Sequence, residues 1–533
     1  MKKQSFLQGA MILAIAGVIS RVLGAVYRIP LTRIIGDEGI GLYQIAYPVY
    51  TTVLTVSTIG INVAISKLVA EHLARGRPDM AHRVFRISLV LMGGLGLLFS
   101  VLMFLGARGI AEGIAHNPAA YYAIVALAPA IFVVSLVSSL RGYFQGQQIM
   151  TPTAVSQVVE QLVRVAIVLF LAYYLLPGGV ALAAGGATFG AAVGGVAALL
   201  VLLVIYWRHR AETAALVRGG KATGGPPTTS VVASILRLAL PISLGGIVVP
   251  LMNLIDLVVV PSRLIGLGYT FAEATRLYGH LTGMALTLVN MPTVVTYALQ
   301  ASLVPAVSEA QAVGDRVAIR SRAAAGIRIT LLMAIPAVAG LYLLATPIAD
   351  LLFGFPEAGV PIAAMSAGLL FLTLQQATSG VLQGLGRTDL PVRNLLVGAI
   401  VKLVTSWVLT GIPAFGIRGA ALGTAAGFMV AASLNLAAVK NLTGAGISIR
   451  EGVLKPVIAT ALMGLATVAL YRQGLSLLGR NGPATLLAIA GGIGVYGMVL
   501  LLLGGLRERD FELLPGVGPR LMRWLRSLGV LRR

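Results

Sequence analysis

Two arginines stand where hydrocarbon is expected. Arg21 and Arg28 lie in "SRVLGAVYRIP", Ser20 to Pro30, inside and at the edge of the apolar run 6–27. A guanidinium keeps its charge at any accessible pH, so each needs an anion or water to offset leaving bulk solvent. Gly17, Arg21, Gly24 and Arg28 are spaced 4, 3 and 4, which puts all four on one face of a helix. The planar fork of arginine matches phosphate oxygens, so the chemistry this face suits is capture of an anionic head group. Arg28, nearer the end of the run, equally fits an interfacial anchor whose head reaches the membrane surface.

Other polar groups recur inside apolar runs. In the run 154–176, Gln157, Glu160, Gln161 and Arg164 share one face, with Glu160 four residues before Arg164. They read either as a self-neutralised pair that permits burial or as a carboxylate open to a coupling ion beside a substrate-binding cation. The run 234–260 places Asn253 and Asp256 one turn apart. Asp256 has no basic neighbour on its own helix and is the other candidate for a coupling cation or proton. Lys402 sits near the middle of 392–412. Gln44, Pro48, Thr51, Thr55, Thr58 and Asn62 form a stripe at spacings of 4, 3, 4, 3 and 4, beside Tyr43, Tyr47 and Tyr50. Such a stripe is interhelical glue or the wall of a solvated path, in which case Gln44, Thr51 and Asn62 touch substrate. Arg21, Arg28, Arg164 and Lys402 outnumber Glu160 and Asp256, so an anionic ligand is expected.

The remaining chemistry is excluded by type or spacing. The chain has no cysteine, and its five histidines are scattered, so no metal site and no cofactor are expected. Gly492 to Gly497 spells G-x-G-x-x-G, but inside an apolar run with no preceding strand, where helix packing explains it. No phosphate-binding loop of the nucleotide-hydrolysing kind occurs; the chain reads as a transporter and not an enzyme.

The elements that must position these groups are membrane helices. Of 533 residues 57% are hydrophobic and 11% charged, with unbroken apolar runs such as 87–107 and 484–506 that exclude the alternation of a β-barrel. Fourteen runs of roughly 20 residues recur, giving an all-α polytopic membrane protein. The net charge of +22 would suggest nucleic acid in a soluble protein. Here the basic residues cluster between the runs, and assigning alternate connections and both termini to the cytoplasm puts most of the 40 Lys and Arg on that side. No nucleic-acid partner is expected. Lys2 and Lys3 before an Ala14-Ile15-Ala16 triplet permit a cleaved signal peptide, but the apolar run continues past the triplet and the topology needs this helix.

The chain also repeats itself. "GYFQGQQIMTP" from Gly142 returns as "GVLQGLGRTDLP" from Gly380, an offset of 238 shared by Glu71 and Gly76 with Glu309 and Gly314. Gly179, Gly186 and Gly190 return as Gly416, Gly423 and Gly427 at an offset of 237. The expected organisation is an N-terminal lobe 1–207, a polar Gly/Pro-rich cytoplasmic linker 208–233, a C-terminal lobe 234–440, two added helices in 441–506 and a basic amphipathic tail 507–533 on the inner leaflet.

"SRVLGAVYRIPLTRIIGDEGIGLYQIAYPVY" followed by "AISKLVAE", Ala64 to Glu71, resembles the stage V sporulation protein B and polysaccharide-biosynthesis branch of the multidrug/oligosaccharidyl-lipid/polysaccharide exporter superfamily. The resemblance implies a flippase in the bacterial cytoplasmic membrane. Its partner would be an undecaprenyl-diphosphate-linked saccharide, lipid II above all, moved from inner to outer leaflet by alternating access, driven by a coupling cation or the membrane potential. In related murein flippases "SRVLG" supplies a cavity arginine, which carries over to Arg21. Their second arginine comes six residues later and precedes an aspartate; this chain has Tyr27 there, then Arg28 and Ile29. The alternatives are a cation-coupled multidrug exporter, which would need cavity carboxylates, and a non-transporting scaffold for cell-wall synthases.

Overall fold

Lipid offers no partner to a backbone amide, so apolar runs of this length satisfy their amides internally as helices. The computed structural model describes residues 6–209 and 227–505; among them there is no strand. The predicted tail 507–533 and most of the predicted linker 208–233 lie outside the described residues.

Contacts divide the chain into two compact units, Met1–Gly279 and His280–Arg533. The first holds α1 (Phe6–Val26), α2 (Arg28–Leu54), α3 (Gly60–Ala74), α4 (Pro78–Gly109), α5 (Tyr121–Gly146), α6 (Thr151–Leu175), α7 (Val180–Arg208), α8 (Thr228–Gly246), α9 (Val248–Gly266) and α10 (Phe271–Gly279). The second holds α11 (Leu286–Ala312), α12 (Arg316–Leu343), α13 (Ala345–Phe353), α14 (Gly359–Gly384), α15 (Asp389–Thr410), α16 (Ile417–Thr443), α17 (Lys455–Leu478) and α18 (Asn481–Leu502).

Among the described residues, 14 helical stretches are long and apolar enough to cross a membrane. One of them, Met11–Ala74, has 64 residues, or about 96 Å of helix, enough for two crossings. It folds at Gly36, whose φ of 73° and ψ of −177° leave the helical region. Conversely, α8 and α9, 19 residues each, form one bent crossing. Ile247 between them keeps helical angles, and the bonds Ile247 N to Ser243 O (3.0 Å) and Leu251 N to Ile247 O (2.9 Å) carry the ladder through. The merged pair and the split one offset each other, so fourteen crossings remain.

Both bends have a visible cause. Pro30 and Pro250 each stand three residues after the bend, at Tyr27 and Ile247, and without an N–H group they cannot supply the usual helical bond to the carbonyls of Val26 and Gly246. At Tyr27 too the angles stay helical, and the bonds Tyr27 N to Leu23 O (3.2 Å) and Leu31 N to Tyr27 O (3.1 Å) carry the ladder through, so the face of Gly17, Arg21, Gly24 and Arg28 bends there and continues.

The division at Gly279 comes later than the expected linker because α8 and α10 pack within the first unit. Val231, Ile235 and Ala239 of α8 join a core with Ile65, Val69 and Phe85, and the Gly60 amide donates to Ser243 Oγ at 3.2 Å. At α10, Asn117 Nδ2 donates to Thr275 Oγ1 at 2.8 Å, and Arg276 pairs with Asp37 and Glu38 at 3.8 and 3.7 Å.

The repeat is visible in each unit's own packing. The 3₁₀ turns Pro118–Ala120 and Pro356–Ala358 lead into α5 and α14, each 26 residues long and 238 apart at both ends. A Cβ on Gly146 would lie 2.7 Å from Val69 Cβ and 2.8 Å from Ser66 O, and one on Gly384 2.8 Å from Val307 Cβ and 2.9 Å from Val304 O. Every residue in the second set is its counterpart plus 238. The second glycine series slips: Gly190 and Gly194 face Val168 and Arg164, whereas Gly423 and Gly427 face Ser406 and Lys402. Across the helix pair, the packing equivalence is therefore Gly190 and Gly194 with Gly423 and Gly427, one turn away from the offset of 237.

Candidate functional site

The polar groups of the first unit converge on a buried ionic triad. Glu160 of α6 gives one carboxylate oxygen, Oε1, to Arg164 Nη2 at 2.6 Å and the other, Oε2, to Arg141 Nη2 at 2.9 Å. The three side chains are only 13 to 17% exposed. The arginines stand one turn apart from Glu160 on α6 and across from it on α5, so the triad joins two helices. Arg141 Nε donates to Ser156 Oγ at 3.0 Å, and that hydroxyl donates onward to Thr153 O at 2.9 Å. Two guanidiniums around one carboxylate leave a net positive charge where the environment strengthens electrostatic interactions.

Four tyrosines cluster on the first two helices. Tyr27 and Tyr43 share a hydroxyl–hydroxyl hydrogen bond of 2.6 Å. Tyr43 and Tyr47 have ring centroids 5.0 Å apart, and Tyr47 meets Tyr50 edge-on at 6.0 Å. Tyr27 and Tyr47 lie in the surroundings of both Arg28 and Arg164, which are 136 positions apart in sequence. Gln161 also reaches the first helix: its amide nitrogen would lie 3.3 Å from a Cβ on Gly24.

The structure sorts the expected residues. Glu160 and Arg164 come together, Arg28 is half-buried at the start of α2, and Gln44 is buried on α2 next to Tyr43 in sequence. Arg21 lies exposed on α1. Thr51 spends its donor on its own helix, to Tyr47 O at 2.9 Å, and Thr58 does the same to Leu54 O at 2.6 Å. Asn62 is half-buried, and its Oδ1 finds no hydrogen-bond partner among the described residues. Asp256 is buried in α9, at 3% exposure. Lys402 belongs to the second unit, where it is buried against Gly427 of α16. Among the described residues no group of three or more His, Asp or Glu is placed to hold a metal ion.

Arg141 escaped the sequence reading. It falls just past the apolar run 119–140, where a basic residue reads as part of a connection, but α5 continues to Gly146 and carries it inside. The signal was present in Gly142, whose tight contact with Asn62 O and Ile65 requires a helix still packed at that point.

The fold is that of a multi-pass membrane transporter of two related helical units, with a buried cationic site in the first. The family model described as "Polysaccharide biosynthesis protein" matches residues 6–311, and that described as "MatE" matches 281–408. The chain belongs to the polysaccharide biosynthesis protein family, within the multidrug/oligosaccharidyl-lipid/polysaccharide exporter superfamily, whose members are transporters and not catalytic enzymes. It is 32% identical to stage V sporulation protein B of Bacillus subtilis (strain 168), over 98% of this chain and 100% of that one. To lipid II flippase MurJ of the same organism it is 29% identical, over 86% and 87% of the two chains. Among solved structures, lipid II flippase MurJ in an inward closed conformation superposes with a TM-score of 0.69 at 15% identity, covering 92% of this chain and 98% of that one. An inward-facing multidrug-resistance MATE transporter gives 0.66 at 17% identity, covering 80% and 94%; at these identities the likeness is one of fold.

Proposed function

We propose that this protein is a flippase for a lipid-linked oligosaccharide, with lipid II, an undecaprenyl-diphosphate saccharide, as its substrate. The observation that carries the reading is the largely buried net positive charge of Arg141, Glu160 and Arg164. A diphosphate crossing the membrane needs such a partner at depth, because an unpaired charge there is costly. Arg28, Arg141 and Arg164 hold the diphosphate, Gln44 and the tyrosine hydroxyls orient it, and Arg21, exposed on α1, meets the head group as it enters. With both carboxylate oxygens of Glu160 taken by arginine, Asp256 is the stronger candidate for a coupling cation, and the membrane potential is the alternative drive. The protein sits in the bacterial cytoplasmic membrane with both termini cytoplasmic, and substrate moves outward by alternating access.

Complementation tests the substrate. In a strain depleted of its lipid II flippase, expression of this chain restores growth and the Arg164→Ala form does not. Drug resistance conferred on a pump-deficient host, without rescue of the depleted strain, would instead favour the multidrug-exporter reading.

A further inference from the structure

The triad contains more donors than its carboxylate can use. Arg164 meets Glu160 through Nη2 alone, and its Nε is buried with no hydrogen-bond partner among the described residues. Arg141 likewise gives Glu160 only Nη2, its Nε being engaged by Ser156. Arginine binds carboxylate or phosphate best as a two-pronged fork, whereas here each guanidinium meets the carboxylate by a single prong.

The repeat shows that these helices can be bridged without an ion pair. Shifted by 238, Arg141, Ser156, Glu160 and Arg164 become Ser379, Asn394, Gly398 and Lys402. In the second unit the equivalent helices are bridged by neutral groups: Asn394 Nδ2 donates to Asn435 Oδ1 at 2.9 Å, and Asn435 Nδ2 donates to Ser379 Oγ at 3.1 Å. A hydroxyl–amide bridge does there what three charges do in the first unit. The backbone behind the triad is also braced, since a Cβ on Gly194 would lie 2.7 Å from Glu160 O and 3.0 Å from Arg164 Cβ. A change at the triad is thus easier for side chains than for the helix.

We propose that Glu160 is a built-in placeholder for phosphate: its carboxylate bridges Arg141 and Arg164 in the empty protein and yields both guanidiniums to the diphosphate when substrate enters. Glu160 is a positioning residue, keeping the two cations paired and correctly spaced without substrate, and its displacement sets a threshold that only a group with several anionic oxygens passes. The inference rests on the diphosphate reading of the site and adds to it the exchange.

The test is binding of farnesyl diphosphate, a soluble polyprenyl diphosphate, to the full-length protein in detergent, with thermal unfolding followed in parallel. Glu160→Gln removes the competing charge at nearly constant volume and is expected to bind about tenfold more tightly. Glu160→Asp, too short to bridge both arginines, is expected to bind about threefold more tightly. Arg141→Ala and Arg164→Ala are expected to bind at least about tenfold more weakly. A carboxylate that serves only structure predicts the opposite sign for Glu160→Gln, lower thermal stability with equal or weaker binding, and that result overturns the placeholder. If Glu160→Gln does not fold, equal or weaker binding by Glu160→Asp overturns it. Should Arg164→Ala bind as the parent does, the diphosphate site itself falls, and the exchange with it; weakened binding by Arg164→Ala beside an unchanged Glu160→Gln removes the exchange alone.

Discussion

Arg141 and Arg164 differ in what their loss leaves behind. Removing Arg164 leaves Glu160 held by Arg141, so the carboxylate is not stranded, and the stability cost should be about 1 to 2 kcal/mol and not the larger penalty of an unpaired buried charge. Thermal unfolding of Arg164→Ala in detergent checks this. Removing both arginines strands Glu160, and the double variant should lose more than the sum of the two single losses. Arg141→Lys keeps the charge but not the fork. Its expected phenotype is near-parental stability with flipping reduced several-fold, read by comparing unfolding and transport on the same preparation. Lys402 is buried but belongs to the second unit, and its role is to be judged apart from the triad.

Helix packing rests on close approaches at matching places in the two units. Gly146 against Val69 and Gly384 against Val307 leave no room for a methyl group, so Gly146→Ala and Gly384→Ala should each destabilise the protein by about 1 to 3 kcal/mol, by similar amounts if the repeat is one of packing as well as sequence. Unfolding of the two variants side by side is the measurement. Much of this level was legible beforehand. The offset of 238 between Gly142 and Gly380 marks helices that also begin and end 238 residues apart, because the same small residues are needed wherever the same backbones touch. Less legible was where helices continue or bend. A charged residue just past an apolar run reads as loop, which hid Arg141; a proline acts on the turn before it, which hid the bends at Tyr27 and Ile247. The slip of the second glycine series was also invisible, since it depends on the facing helix and not on the glycines' own spacing.

For the whole molecule, the proposed placement of both termini in the cytoplasm rests on fourteen crossings among the described residues and on the distribution of basic residues. The absence of native cysteine makes every introduced thiol unique. Ser476→Cys, exposed near the end of α17, should react with a membrane-impermeant maleimide in intact cells, whereas Ser448→Cys, exposed before α17, should react only after permeabilisation. The reverse pattern would invert the molecule and make its transport inward. The proposed function unites topology, repeat and site as movement of a phosphate-bearing lipid past the arginines, and its most direct test is flipping of fluorescent lipid II in proteoliposomes, read as the fraction that becomes accessible to an impermeant quencher. The parent protein should expose lipid II from the protected leaflet well above the rate of protein-free vesicles, with Arg164→Ala slowed at least about tenfold. Flipping no faster than in protein-free vesicles, or an Arg164→Ala rate equal to the parent's, would contradict it.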